Sequence, residues 1–251
     1  MAKDFDLRSI IINAFKEIGV EWHIKGVVDD KGQLYTISND TKLISKIFEL
    51  VSYPIIIPAV EPYIERWEIE KRQNVYPDLT LILPGEIPNK IAIDIKSTFR
   101  RDEDRGGFTL GSYTAYIRPP YTKNISYPYT EYREHWIIGY IYSRVTDIEK
   151  PEVTKIEKLH EVKAAIDDVE VLVHEKWQLS SDKPGSGNTA NIGSVNSLND
   201  LKQGKGVFTK FGDKGKEVFE DYWRNFDWHA PRKYTDLDGY LSWKKNTGVK
   251  A

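Results

Sequence analysis

Three charged residues are spaced for phosphate chemistry: Asp78, directly after Pro77, and the pair Asp94 and Lys96, one residue apart. Two carboxylates brought together repel, and the proton affinity of one rises unless a counter-charge intervenes. A hard divalent cation with oxygen ligands, such as Mg2+, relieves that repulsion. A neighbouring ammonium can orient a water or stabilise charge developing on a phosphate. Acidic residues also sit at solvated strand ends, so the elements that carry these three decide between the two readings.

Residues 79–83 and 91–95 are apolar and β-prone, and the intervening Pro-Gly-Glu-Ile-Pro-Asn is a run of turn formers. The pattern predicts an antiparallel hairpin paired about Glu86 or Ile87, which sets Asp78 beside Asp94 and Lys96. Alternation along the strand puts Asp94 and Lys96 on one face and Ile91, Ile93 and Ile95 on the other.

With 251 residues the chain can bury a full core, and a single domain over 1–251 is expected. Within it, 1–40 reads as a helix and hairpin and 41–251 as the main body. Cys is absent, which excludes disulfides and thiolate metal sites and favours an intracellular protein. No apolar signal region opens the chain and no apolar run approaches membrane-spanning length, so a cytoplasmic protein without a membrane partner is expected. A net charge of −2 argues mildly against a simple electrostatic DNA binder. Acid-rich patches at 102–104 and 167–168 leave room for a basic cleft elsewhere.

Leu7, Ile10, Ile11, Ala14, Phe15 and Ile18 repeat at helical spacing after Asp4 or Asp6, and Gly19 ends the run. Residues 20–28 and 33–37 read as strands around the turn Asp29-Asp30-Lys31-Gly32. Asp40 and Thr41 open a second helix with Leu43, Ile44, Ile47, Phe48, Leu50 and Val51 inward and Glu49 on the polar face. Residues 108–117 have strand composition. Residues 135–145 read as a strand buried on both faces, with His135, Tyr142 and Arg144 at its ends or a wet edge. Residues 147–168 read as charged and partly helical, 169–177 as a strand, 179–196 as a long Gly-rich loop, and 217–226 as the last helix.

Gly185-Ser-Gly187-Asn-Thr-Ala190 formally matches a dinucleotide fingerprint, but no strand directly precedes it and no helix period follows. A surface loop is the plainer account, although close glycines and Asn188 suit contact with an adenine edge. The five His are scattered without metal-ligand spacing.

Segments 38–50, 73–81, 90–96, 108–114, 136–142, 185–194 and 221–225 run in an order that resembles the type II restriction endonucleases of the PD-(D/E)XK superfamily, with Pro77-Asp78 and Asp94-Ile95-Lys96 as the signature. The resemblance implies an α/β, restriction-endonuclease-like fold: a mixed central sheet flanked by helices, with a small N-terminal dimerisation element. It implies a homodimer on double-stranded DNA that cuts both strands with Mg2+ at a palindrome, GATATC, leaving blunt ends. Carried over position by position, Asp78 and Asp94 are metal ligands, Lys96 is the catalytic lysine, and Glu49 is the auxiliary acidic residue of the metal site. Gly185, Ser186, Gly187, Asn188 and Thr189 fall where bases are read in the major groove, and Gln73 and Asn74 where the minor groove is approached. Thr41, Ser97, Thr98 and Lys123 match positions near the DNA backbone.

Arg72-Gln73 stands where the family stretch has two Gln, and Ser97 where it has Thr, which keeps the hydroxyl. Residues 147–170 and those after Phe226 match poorly, so no phosphate contacts carry over there. A cognate DNA methyltransferase is expected in the same system without contacting this chain. The alternatives are a repair or structure-selective nuclease and a DNA-binding protein that has lost cleavage.

Overall fold

The computed structural model describes residues 5–20, 22–72, 74–146, 152–185 and 190–248. The first helix, α1 (Leu7–Ile18), begins where Asp6 accepts a hydrogen bond from Ser9 N and ends at Gly19, whose φ of 79° suits glycine. Leu7, Ile11 and Phe15 form its buried stripe. Among the described residues of the expected strand 20–28, the strand is confined to Gly26–Val28 (β1). Trp22 donates from Nε1 to Gly19 O and packs its ring on Phe48 and Tyr140, so aromatic packing overrides strand propensity there. Strand β2 (Gln33–Thr36) pairs with β1 as expected, and Asp29 closes the turn by accepting from Lys31 N and Gln33 N.

Helix α2 (Thr41–Val60) is capped by Asp40, which accepts from Lys42 N and Leu43 N. It runs further than its first apolar stripe, through Pro54 and Pro58. Ile44 and Phe48 are buried as expected, but Leu43 and Leu50 are 38% and 55% exposed. Residues advance about 100° along a helix, so one packed side cannot hold all six expected positions. By length and composition the helix segment Thr41–Tyr63 could span a membrane, contrary to the sequence expectation. It is a core helix here: Ile44, Phe48, Ile56 and Val60 are wholly buried, and α2 packs on the central sheet.

That sheet has the order β3 (Arg66–Ile69), β4 (Leu79–Ile82), β5 (Lys90–Phe99), then two later strands, β7 (Tyr132–Arg144) and β9 (Ile166–Glu175). Neighbours β5 and β7 are parallel and every other pair is antiparallel, so the sheet is mixed, as expected. Both faces are covered. Ile91, Ile93, Ile95, Ile138 and Tyr140 pack with α1 and α2, and Phe48 stacks on Tyr140 at 4.3 Å between ring centroids. Ala92, Ile137, Ile141 and Leu172 pack into an aromatic cluster with Tyr113, Tyr116 and Trp223. His135 and Tyr142 are buried rather than at a wet edge, because β7 is a central strand.

The strand expected over 108–117 shortens to β6 (Thr109–Ser112). The described part of 147–168 is partly helical as expected, in a 3-10 helix over Ile156–Glu161, but β8 (Val153–Lys155) before it adds an unexpected third strand to β1 and β2; residues 147–151 lie outside the described ones. After β9 come the short helix α3 (Lys176–Leu179) and two strands, β10 (Ser180–Pro184) and β11 (Asn191–Ser194). The expected long loop is therefore a ribbon, joined at its edge to β6. No helix opens at Asn191, which removes the dinucleotide reading. Helices α4 (Leu198–Gln203) and α5 (Gly215–Asn225) follow. A further helix, α6 (Leu237–Thr247), corrects the expectation that 217–226 is the last; its aromatic residues Tyr240 and Trp243 pack on the cluster around Tyr222 and Tyr234.

Candidate active site

The register Leu79↔Ile93 and Thr80↔Ala92, continued by one step, brings Asp78 opposite Asp94. Lys96 Nζ lies 2.8 Å from Asp94 Oδ1 and 3.9 Å from Asp78 Oδ2. Ile95 N donates to Asp78 Oδ2 at 2.7 Å. Asp94 is only 4% exposed, because β5 is flanked on both sides by strands. The hairpin thus converges two carboxylates and an ammonium, as its local pattern predicts.

Burial pushes the Asp78 carboxyl up to about 7, and the charges of Asp94 and Glu49 add to the rise; Lys96 and the Ile95 amide oppose it. Burial would depress Lys96, but the Asp94 and Asp78 carboxylates outweigh it and hold the ammonium up to about 12. The two carboxylates thus hold Lys96 as a positive charge at the centre of the site.

Glu49, Asp78 and Lys96 line one cavity of about 410 Å³, with Thr41, Ser45 and Lys46 on its α2 wall. Glu49 accepts from Lys46 Nζ at 2.5 Å and from Tyr53 Oη at 2.9 Å. Among the described residues no three His, Cys, Asp or Glu come together as a metal-binding group. The available donor set is the Asp78–Asp94 pair, with Glu49 engaged at the wall. Two hard carboxylates, Asp78 lining the cavity and Asp94 opposite it on β5, fit Mg2+, which keeps several waters and takes one or two carboxylates beside substrate oxygens.

The remaining expected residues fall at different distances from this centre. Ser97 joins the rim, its Oγ 2.7 Å from Ser45 Oγ, and Ser45 donates to Thr41 O. Thr98 is 6% exposed, and its Oγ1 accepts from Gly107 N, so it does not reach the rim. Asn74 is exposed with a φ of 61°. Lys123 is exposed in the adjoining turn, where Asn124 O accepts from Tyr76 N. Arg72 forms a two-pronged pair with Glu70 and holds that carboxyl down to about 2. Gly185 donates to Asn191 O at the end of the ribbon. Gln73, Ser186, Gly187, Asn188 and Thr189 lie outside the described residues.

Lys176 escaped the sequence reading. It is 2% exposed, with Nζ 3.8 Å from the Tyr76 ring centroid and 3.3 Å from Tyr116 Oη. Burial lowers this ammonium to about 7, with Asp94 pulling it back up. Nothing in the local string marks it, since a Lys at a strand end is usually solvated. The α2 wall was more legible: Thr41, Ser45 and Glu49 recur at steps of four, one helix face.

The sequence model of the family described as Restriction endonuclease EcoRV matches residues 19–245. A curated relative, the Type II restriction enzyme EcoRV of Escherichia coli, is 40% identical over 243 residues, which cover 94% of this chain and 97% of that protein. Among solved structures, the NlaIV restriction endonuclease aligns over 100% of this chain and 92% of its own with a TM-score of 0.44 and 10% identity, too distant to carry an argument.

Proposed function

The chain belongs to the EcoRV family of type II restriction endonucleases, and from that premise we propose that it cuts both strands of duplex DNA at the palindrome GATATC, at its centre, using Mg2+ held by Asp78 and Asp94. The observation that carries the site assignment is the convergence of Asp78, Asp94 and Lys96 at one end of the β4–β5 hairpin. When bound, the cation supplies Lewis-acid polarisation of the phosphoryl oxygens.

The chain's own residues do the rest. Asp78 and Asp94 supply the oxygen donors, and the Ile95 amide keeps Asp78 aimed. The Lys96 ammonium neutralises charge developing on the phosphate as water adds to phosphorus and the 3′ oxygen leaves. Glu49 is the auxiliary acidic residue, raising the negative potential of the cavity. Ser97, Thr41 and Lys123 are read as backbone-facing positions, Gln73 and Asn74 as minor-groove positions, and Gly185 to Thr189 as the base-reading segment, with Asn188 its main side-chain donor; Thr98, buried against Gly107 N, leaves that set.

A homodimer suits a palindrome, because each copy reads one half. It is supported by an apolar row across the N-terminal sheet: Val27, Tyr35 and Val153 are aligned by register and 56%, 43% and 58% exposed. The enzyme is placed in the cytoplasm, beside a methyltransferase that protects the same site in host DNA.

The test is a plasmid digest with and without Mg2+, followed by sequencing of the ends. Blunt ends at the centre of GATATC, only with the cation, are expected. Ends at another sequence would discard the carried-over specificity and keep the reaction.

A further inference from the structure

The ribbon of β10 and β11 is irregular where it leaves the body of the protein. Ser180 pairs with Ser194 and Pro184 with Ile192, so residues 181–183 stand opposite Gly193 alone. A bulge of this kind leaves residues without ladder partners and lets the strand bend. The ladder therefore does not set the position of Asp182 and Lys183, which lie just before Gly185. A Cβ at Gly193 would come within 2.8 Å of Lys183 O, so the bulge also packs tightly on its partner strand.

The missing constraints come from the C-terminal helices. Asp182 Oδ2 accepts from the amide of Leu237, the first residue of α6, at 2.9 Å. Lys183 Nζ donates to Thr235 O at 3.0 Å and lies 3.7 Å from Asp236. Asp236 in turn caps α6, accepting from Gly239 N at 2.9 Å. On the other side, α5 contributes Tyr222, whose Oη donates to Asp182 O at 2.7 Å, and Trp223, whose Nε1 donates to Ser180 Oγ at 3.2 Å.

We propose that Asp182 and Lys183 are positioning residues for specificity: through them the N-terminal turn of α6 braces the ribbon and fixes its end at Gly185, the point from which the base-reading segment starts. The inference rests on the reading of 185–189 as the base-reading segment. Base-edge hydrogen bonds are directional and fail with small displacements, whereas phosphate contacts carry no sequence information. Loosening the brace should therefore lower discrimination more than affinity. The Lys183–Asp236 pair is about half exposed on each side, so its removal should cost little stability.

The experiment compares Asp182→Ala, Lys183→Ala and Asp182→Asn with wild type. Cleavage rates are measured on a cognate duplex and on one with a single base-pair change, and binding to a non-specific duplex without divalent cation is measured in parallel. The two alanine variants should lose about tenfold in the cognate-to-altered rate ratio, with non-specific affinity within about twofold of wild type. Asp182→Asn keeps an acceptor for Leu237 N and should retain most of the ratio. Should Asp182→Ala fail to fold, Lys183→Ala, at an exposed side chain, decides alone. A wild-type ratio in the alanine variants, or equal loss on both duplexes, overturns the brace. Asn188→Ala separates the two ideas: a lowered ratio there with intact ratios at 182 and 183 sinks the brace alone, and an unchanged ratio sinks the base-reading assignment and the brace with it.

Discussion

The backbone amide of Ile95 donates to Asp78 Oδ2 at 2.7 Å, so the strand that carries Asp94 and Lys96 also aims the first carboxylate. Strand register and the pleat, rather than long flexible side chains, hold the two acids together. A site built on paired strands is preorganised, and its groups need little rearrangement when substrate arrives.

Asp94→Ala and Lys96→Ala should each lower Mg2+-dependent cleavage by at least about a thousandfold, the scale seen when a preorganised charge is removed from a reacting centre. Neither should unfold the protein, because β5 is held by its pairing with β4 and β7 and by its apolar faces rather than by this ion pair. Single-turnover cleavage with circular dichroism on the same samples checks both statements. Retained Mg2+-dependent cutting by either variant removes that residue from the mechanism.

Asp78 predicts a pH dependence of both stability and activity. Its folded pKa, about 7, lies well above the ordinary carboxyl value of 3.8, so its stabilising contribution is complete below about 3.8 and is lost as pH rises through 7. In cation-free buffer Asp78→Asn should melt a few degrees above wild type at pH 8, and the difference should vanish near pH 4. A gap of the same size at both pH values contradicts the assignment. At limiting Mg2+, wild-type cleavage should rise with pH from about 6 to 8 as the carboxyl ionises, and flatten when Mg2+ saturates.

Lys176 carries the opposite sign. Burial lowers its folded pKa to about 7 from the ordinary lysine value of 10.5, so the unfolded chain holds more protons between these values and stability rises with pH across that window. Lys176→Met keeps the volume and removes the buried charge. It should raise the melting temperature at pH 6.5, with a smaller gain at pH 9.5. Calorimetry at the two pH values checks this, and a lowered melting temperature at pH 6.5 would mean that the contacts to Tyr76 and Tyr116 outweigh the desolvation cost.

Tyr35→Glu places a charge in the centre of the row Val27–Tyr35–Val153. In the proposed dimer that charge would be buried unpaired in an apolar interface, so Tyr35→Glu should sediment as a monomer where wild type sediments as a dimer, and a monomeric wild type would overturn the dimer itself. Cleavage of both strands in one binding event should be lost with it. An unchanged dimer would move the interface to another face.

The candidate site was legible because its geometry is local. A turn of Pro, Gly and Asn between two alternating runs sets a hairpin register, and that register alone puts Asp78 opposite Asp94. Where a single stretch has competing uses, local pattern misled: 20–28 has strand composition, yet Trp22 packs on Phe48 and Tyr140. The ribbon 180–194 read as a loop because Gly and small polar residues carry no alternation, and its pairing depends on β6 and α5.

By itself the sequence determined α1 with its Asp6 cap and Gly19 stop, the α2 face with Thr41, Ser45 and Glu49, and the β4–β5 hairpin with its paired acids. These follow from backbone sterics, side-chain period and turn chemistry within a few residues of each other. Only the tertiary structure decided that β7 lies parallel beside β5 and buries Asp94, that Glu49 enters the same cavity, that Lys176 comes to rest against Tyr76, and that α6 reaches back to Asp182. Each of those joins segments far apart in the chain, where chain connectivity and the burial of apolar surface, rather than local periodicity, choose the neighbours.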